Sequence, residues 1–145
     1  MRTTFHGFLF LLSFLAAGRL FAQQDIVISE FLAVNDGGLS DADGDSPDWI
    51  ELYNPTDGPI DVGGLYLTDD LTNPTQWRIP TGNAAATTLP AHGYLLIWAD
   101  EDIGDGGLHC DFKLRAQGED IALFGADGTT LWDSFTYTVQ QVDVS

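Results

Sequence analysis

The sequence is poor in cysteine, in positive charge and in long apolar runs, and each shortage removes a class of protein. Cys110 is the only cysteine. No intramolecular disulfide can form, and no His–Cys spacing for zinc exists. With no partner thiol, Cys110 reads as a small buried apolar residue in a strand. Lysine and arginine together number 5, against 22 acids, for a net charge of −17 over 145 residues. Nucleic-acid affinity comes mainly from Lys and Arg neutralising phosphates, so a nucleic-acid partner is excluded. An anionic membrane surface repels such a chain as well. The longest nearly apolar run, Phe8 to Ala17, is about ten residues, where a bilayer span needs about 20. After residue 22, no window repeats apolar residues at helical spacing over three turns.

What is present begins with that same run. Arg2 precedes it, and Ala22 offers a small residue before Gln23. This is the three-part pattern of a secretory signal peptide, with Leu20 departing from its preference for small residues. Cleavage removes Arg2 and Arg19 and no acid. It leaves Arg78, Lys113 and Arg115 against 22 acids, a net charge of −19. A secreted or cell-surface destination is expected, with no stable membrane insertion after cleavage. Much of the acidity serves solubility. Where acids cluster, divalent cations are their natural partners.

The strongest strand signal is Asp48-Trp49-Ile50-Glu51-Leu52-Tyr53, ended by Asn54-Pro55. Large groups on both faces suit the middle of a sheet. Tyr94-Leu95-Leu96-Ile97-Trp98-Ala99 passes the same test. Ile26 to Ala33 reads as the first strand. Ile60 to Leu67 reads as one strand bent or bulged at Gly63-Gly64. Gln76 to Ile79 is a short strand, and Thr81 to Thr88 a loop. Leu108 to Leu114 alternates, with Leu108, Cys110, Phe112 and Leu114 on the apolar face and His109 on the polar one. Glu119 to Phe124 and Leu131 to Tyr137 flank a tight turn at Asp127-Gly128. Seven or eight short strands and no helix predict an all-β, immunoglobulin-like β-sandwich.

The ordered segments Ile28-Ser29-Glu30-Phe31, Asp48-Trp49-Ile50-Glu51-Leu52-Tyr53-Asn54 and Gly64-Leu65-Tyr66-Leu67-Thr68-Asp69-Asp70 resemble the bacterial lamin-tail domain. So do Trp77-Arg78-Ile79-Pro80, Leu89 to Ala99, Leu108 to Leu114 and Gly118 to Leu123 with Asp127-Gly128. The resemblance runs from about residue 24 to 139. It implies the same sandwich, and an accessory or interaction module with no catalytic residues to carry over. It also implies company: such modules sit in larger secreted or surface proteins, often beside hydrolase domains. The expected division is a signal peptide over 1–22, a lamin-tail-like domain over 23–139 and an extension over 140–145. The extension resembles the stretch just past the domain in longer relatives, so a truncated chain is expected.

The candidate site is the acidic run before the central strand. Asp41, Asp43 and Asp45 alternate, Gly44 allows a tight turn, and Asp48 follows. Calcium takes six to eight oxygens, and alternate carboxylates in a turning loop can aim several at one point. The helix-loop-helix calcium motif does not fit, because Ser46 follows Asp45 and position twelve from Asp41 is Leu52. Calcium is therefore expected on Asp41, Asp43, Asp45 and Asp48 in a looser loop, with a solvated acidic loop as the plainer alternative. A second acidic loop, Asp100-Glu101-Asp102 with Asp105, is less regular and reads as solvated. Glu51 needs a structural partner, for which Arg78 is available. His92 and His109 neighbour no nucleophile with an orienting third group. Trp77, in the loosest region, is the tryptophan most open to a sugar-stacking role.

The reading is a secreted, non-enzymatic interaction or spacer module with a protein or cell-surface partner. Its alternatives are the accessory N-terminal part of a secreted hydrolase and a carbohydrate-binding module.

Overall fold

The computed structural model describes residues 26–105 and 107–145. The expected signal peptide lies outside the described residues. Ten short strands and one helical turn follow in order: β1 (Val27–Leu32), β2 (Asp48–Tyr53), β3 (Ile60–Asp61), β4 (Tyr66–Thr68), β5 (Trp77–Arg78), α1 (Ala84–Thr87), β6 (Thr88–Leu89), β7 (Tyr94–Ala99), β8 (His109–Cys110), β9 (Asp120–Phe124) and β10 (Leu131–Thr136). One four-stranded sheet runs β1-β2-β7-β8 and the other β10-β9-β4-β5, with β3 and β6 forming a separate pair. The architecture is the expected all-β, immunoglobulin-like β-sandwich.

β2 and β7 are interior strands, as their two-sided apolar character requires. They pair antiparallel from Asp48 opposite Ala99 to Tyr53 opposite Tyr94. Ile50, Leu52 and Ile97 turn inward from this sheet, and Leu67, Ile121 and Leu123 belong to the same apolar cluster from the other; all six are fully buried. Each such side chain contributes roughly 1.5–3 kcal/mol by leaving water. Leu108, Cys110, Phe112 and Leu114 join that core, as their alternation predicts. Cys110 is a free, buried thiol.

Three stretches differ from expectation. Ile60 to Leu67 is two strands rather than one. A turn closed by the Leu65 amide on the Val62 carbonyl at 3.0 Å, with Gly64 at φ 95°, carries the chain from β3 to β4 in another sheet. The polar stretch 81–88 holds α1 and the start of β6. The segment after Leu108 pairs only over β8, apart from a single bridge between Asp100 and Lys113.

Asn54 fixes the corner after β2. Its Nδ2 donates to the carbonyls of Gly58, Leu89 and Pro90 at 2.8–3.2 Å. Its Oδ1 accepts from the Thr56 amide and hydroxyl. A fully buried amide side chain needs this many partners. At the margin of the sandwich, β1 carries a bulge between Ile28 and Glu30. There the Ile28 amide donates across to Asp133 Oδ2 on β10 at 2.8 Å.

Candidate metal centre

The site is assembled by strand register. Because Asp48 faces Ala99, the loop entering β2 and the loop leaving β7 emerge at the same end of the sheet. Parallel β8 then sets His109 beside Trp98 at that end.

Two side chains shape the entering loop. Asn35 donates from Nδ2 to the carbonyls of Leu39 and Pro47, each at 2.7 Å. Asp41 accepts the amides of Asp43, Gly44 and Asp45 on one oxygen, Oδ1, at 2.9–3.0 Å. Gly44, at φ 92°, supplies the left-handed backbone that this wrap needs. The second oxygen of Asp41 is left for another partner.

Asp100 shapes the leaving loop. Its Oδ1 accepts the Asp102 amide at 3.1 Å, and its Oδ2 accepts from His109 Nδ1 at 2.7 Å. An ionised carboxylate can only accept, so Nδ1 carries a hydrogen and Nε2 is the ring nitrogen left for another partner. His109 is 4% exposed. Among the described residues its Nε2 has no hydrogen-bond partner.

These loops converge. One carboxylate oxygen from each of Asp41 and Asp105 and one ring nitrogen of His109 lie within 4.8 Å of one another. A cleft of about 390 Å³ beside this point is lined by Asp41 and Asp105 together with Asp45, Asp48, Asp102 and Lys113, with His109 behind it and not among the lining residues. Of the residues singled out by spacing, Asp41, Asp45 and Asp48 line it. Asp43 is not among the lining residues and lends its amide to Asp41. Spacing within one loop could not show that Asp105 and His109 belong with Asp41. The signal that could have shown it is the pairing of the two interior strands, which places their loops together.

The electrostatics suit a cation. Burial raises the Asp48 carboxyl above its ordinary value, opposed by the Asn35 amide and the Lys113 charge. The Asp105 carboxyl is raised as well, by desolvation first and then by the charges of Asp102, Asp43 and Asp41, with His109 opposing. Carboxylates that resist one another's ionisation are relieved by positive charge. Lys113 supplies some, but its ammonium reaches out to Glu101 at 3.7 Å with both side chains more than half exposed.

Comparison with protein families matches residues 21–139 to the Lamin Tail Domain. The chain belongs to this family. A search of curated proteins finds no match. The matched span contains both acidic loops and every strand of the two sheets.

Within this lamin tail domain, other expectations need correction. Glu51 pairs with Ser29 rather than Arg78: the Ser29 hydroxyl donates to its Oε1 at 2.8 Å, because the bulge in β1 turns Ser29 toward β2. Arg78 instead donates to the Gly64 carbonyl at 3.3 Å and lies 5.8 Å from the centre of the Tyr66 ring. Trp77 is 7% exposed within the core, so it presents no face to a sugar. His109 is buried rather than on an exposed polar face, since the two loops cover the outer side of β8. His92 is exposed and meets Asp57 at 3.0 Å. A second cleft, about 810 Å³, lies beyond Lys113 and is lined by Asp69, Asn73, Gln76, Arg115 and Glu119 among others.

Proposed function

We propose that this lamin tail domain is a secreted or cell-surface, non-catalytic interaction or spacer module, stabilised by calcium between its two acidic loops. The observation that carries the reading is the convergence of Asp41, Asp45 and Asp48 with Asp102 and Asp105 around one cleft. Carboxylates drawn from two loops can supply the several oxygens that calcium takes, and the ion would tie the loops together. Secretion is supported by the signal-peptide pattern, and the lack of nucleic-acid affinity by the scarcity of Lys and Arg.

The non-catalytic part is supported by the state of the reactive groups. Burial pushes the Cys110 thiol far up, so it stays protonated and inert. His92 is more than half exposed and paired with Asp57 on the surface.

Thermal unfolding in calcium and in EDTA tests the calcium claim. An ion at a hundred times its Kd adds about 2.7 kcal/mol, a rise of several degrees in Tm. Asp45→Ala should remove most of that rise. An unchanged Tm in millimolar calcium would end the claim. Pull-down from surface extracts under native conditions tests the interaction role, and turnover of any substrate by the purified protein would refute the non-catalytic one.

A further inference from the structure

We propose that the point where Asp41, Asp105 and His109 meet is a mixed nitrogen–oxygen site for a borderline divalent ion of the zinc class, with Asp100 as its positioning residue. It shares Asp41 and Asp105 with the calcium reading and differs from it in the ion and in the nitrogen ligand, so the two are tested against each other.

The argument starts from the imidazole. Calcium and magnesium are hard ions that take oxygen, whereas zinc is bound by His nitrogen and carboxylate oxygen together. The His109 side chain is 2% exposed, and its Nε2 has no hydrogen-bond partner among the described residues. A buried imidazole beside two acidic loops thus keeps one ring nitrogen for a further partner.

The second support is the arrangement behind the ring. Metal-binding histidines commonly donate their other N–H to a carboxylate, which fixes the tautomer and makes the ligating nitrogen more basic. Asp100 Oδ2 accepts from Nδ1 at 2.7 Å, and its other oxygen is held by the Asp102 amide. The orienting carboxylate is thus itself fixed.

The third support is the state of the two acids. Asp41 has one oxygen saturated by three amides and the other available. The Asp105 carboxylate has no hydrogen bond among the described residues, while the Asp105 amide is anchored on the Asp102 carbonyl at 3.1 Å. Gly107 runs beside the ring, where a Cβ would stand 3.7 Å from Nε2, an ordinary contact. One carboxylate oxygen of each acid and one ring nitrogen of His109 lie within 4.8 Å of one another. A tetrahedral ion with bonds of about 2.0–2.2 Å holds its ligand atoms roughly 3.4 Å apart, so binding asks only a small closure of the loops. Three protein ligands leave one position for water.

The test is calorimetric titration of the chelator-stripped protein with zinc chloride and, separately, calcium chloride, with cobalt(II) absorption as a spectroscopic readout. The expected result is one equivalent of zinc and visible cobalt bands of a four-coordinate ion. Asp105→Ala and His109→Gln should each weaken zinc binding about 100-fold or more. Asp100→Asn should weaken it about 10-fold, as changes to outer partners of metal ligands do. Should His109→Gln fail to fold, as circular dichroism would show, Asp105→Ala in the loop carries the test. Zinc uptake that is absent, or that survives Asp105→Ala, overturns the site. A calcium-dependent rise in Tm without zinc binding refutes this inference and leaves the calcium reading standing. One equivalent of zinc on these residues with no calcium response does the reverse.

Discussion

Asp100 holds His109 through a bond of 2.7 Å between Oδ2 and Nδ1, with the side chains 15% and 2% exposed. Asp100→Ala leaves the Nδ1 hydrogen buried without an acceptor and also frees the Asp102 amide. The expected cost is roughly 1–3 kcal/mol, the range for an orphaned buried polar group. Urea unfolding measures it. A variant as stable as the parent would show that the pair contributes nothing to the fold.

Asn54→Ala should be among the most damaging single changes. It strips a donor from three carbonyls and an acceptor from Thr56 in one step. A loss of about 3 kcal/mol or more is expected. Asn54→Asp should also destabilise, because its carboxylate cannot donate to those carbonyls. Denaturation midpoints of the two variants check both points.

Gly118→Ala probes backbone strain. Gly118 is at φ 104°, and an added Cβ would meet the Tyr137 carbonyl oxygen at 2.5 Å. The left-handed conformation alone costs about 1–3 kcal/mol for other residues, and the contact adds to it. Gly58→Ala, where a Cβ meets nothing within 4 Å, is the control and should change little.

Two acids should respond to pH in opposite senses. Burial raises the Glu119 carboxyl above its ordinary value, opposed by the Arg115 amide and the Tyr137 hydroxyl. The folded protein therefore holds that proton to higher pH than the unfolded chain. Its contribution is fully present below the unfolded value and is lost as pH rises through the folded one. Asp127 is held down to about 2 by the hydroxyl and amide of Thr130 and the amide of Thr129. Its contribution is present above the unfolded value and is lost as pH falls toward about 2. Carboxyl carbon shifts followed by NMR should give a Glu119 midpoint above that of an ordinary glutamate and an Asp127 midpoint below that of an ordinary aspartate. Glu119→Gln should remove its share of the pH dependence, which lies above the ordinary glutamate range.

The sandwich was legible because its inner strands advertise themselves. β2 and β7 carry bulky groups on both faces, and Leu108 to Leu114 alternates through its buried face. Less legible were the places where local chemistry has two outcomes. Gly63-Gly64 fits a bulge or a turn equally well, and only pairing with different neighbours separates β3 from β4. The small residues before Leu89 have no pattern that distinguishes a helical turn from a loop. One arm of the candidate site was visible in the alternate aspartates from Asp41 to Asp45. The other arm depends on contacts between residues 41, 105 and 109, which no local spacing encodes. Alternation puts His109 on the polar side of its strand but says nothing of a loop folded over it.

The bond from the Ile28 amide to Asp133 has a consequence for life at high concentration. β1 borders its sheet, and an unoccupied border invites a foreign strand to dock and seed a fibre. Here a charged side chain from the opposite layer already satisfies that amide, while the bulge beside it spoils the straight template that docking requires. The aspartate thus serves as a guard against self-association, and a neutral apolar residue in its place would open that border to aggregation.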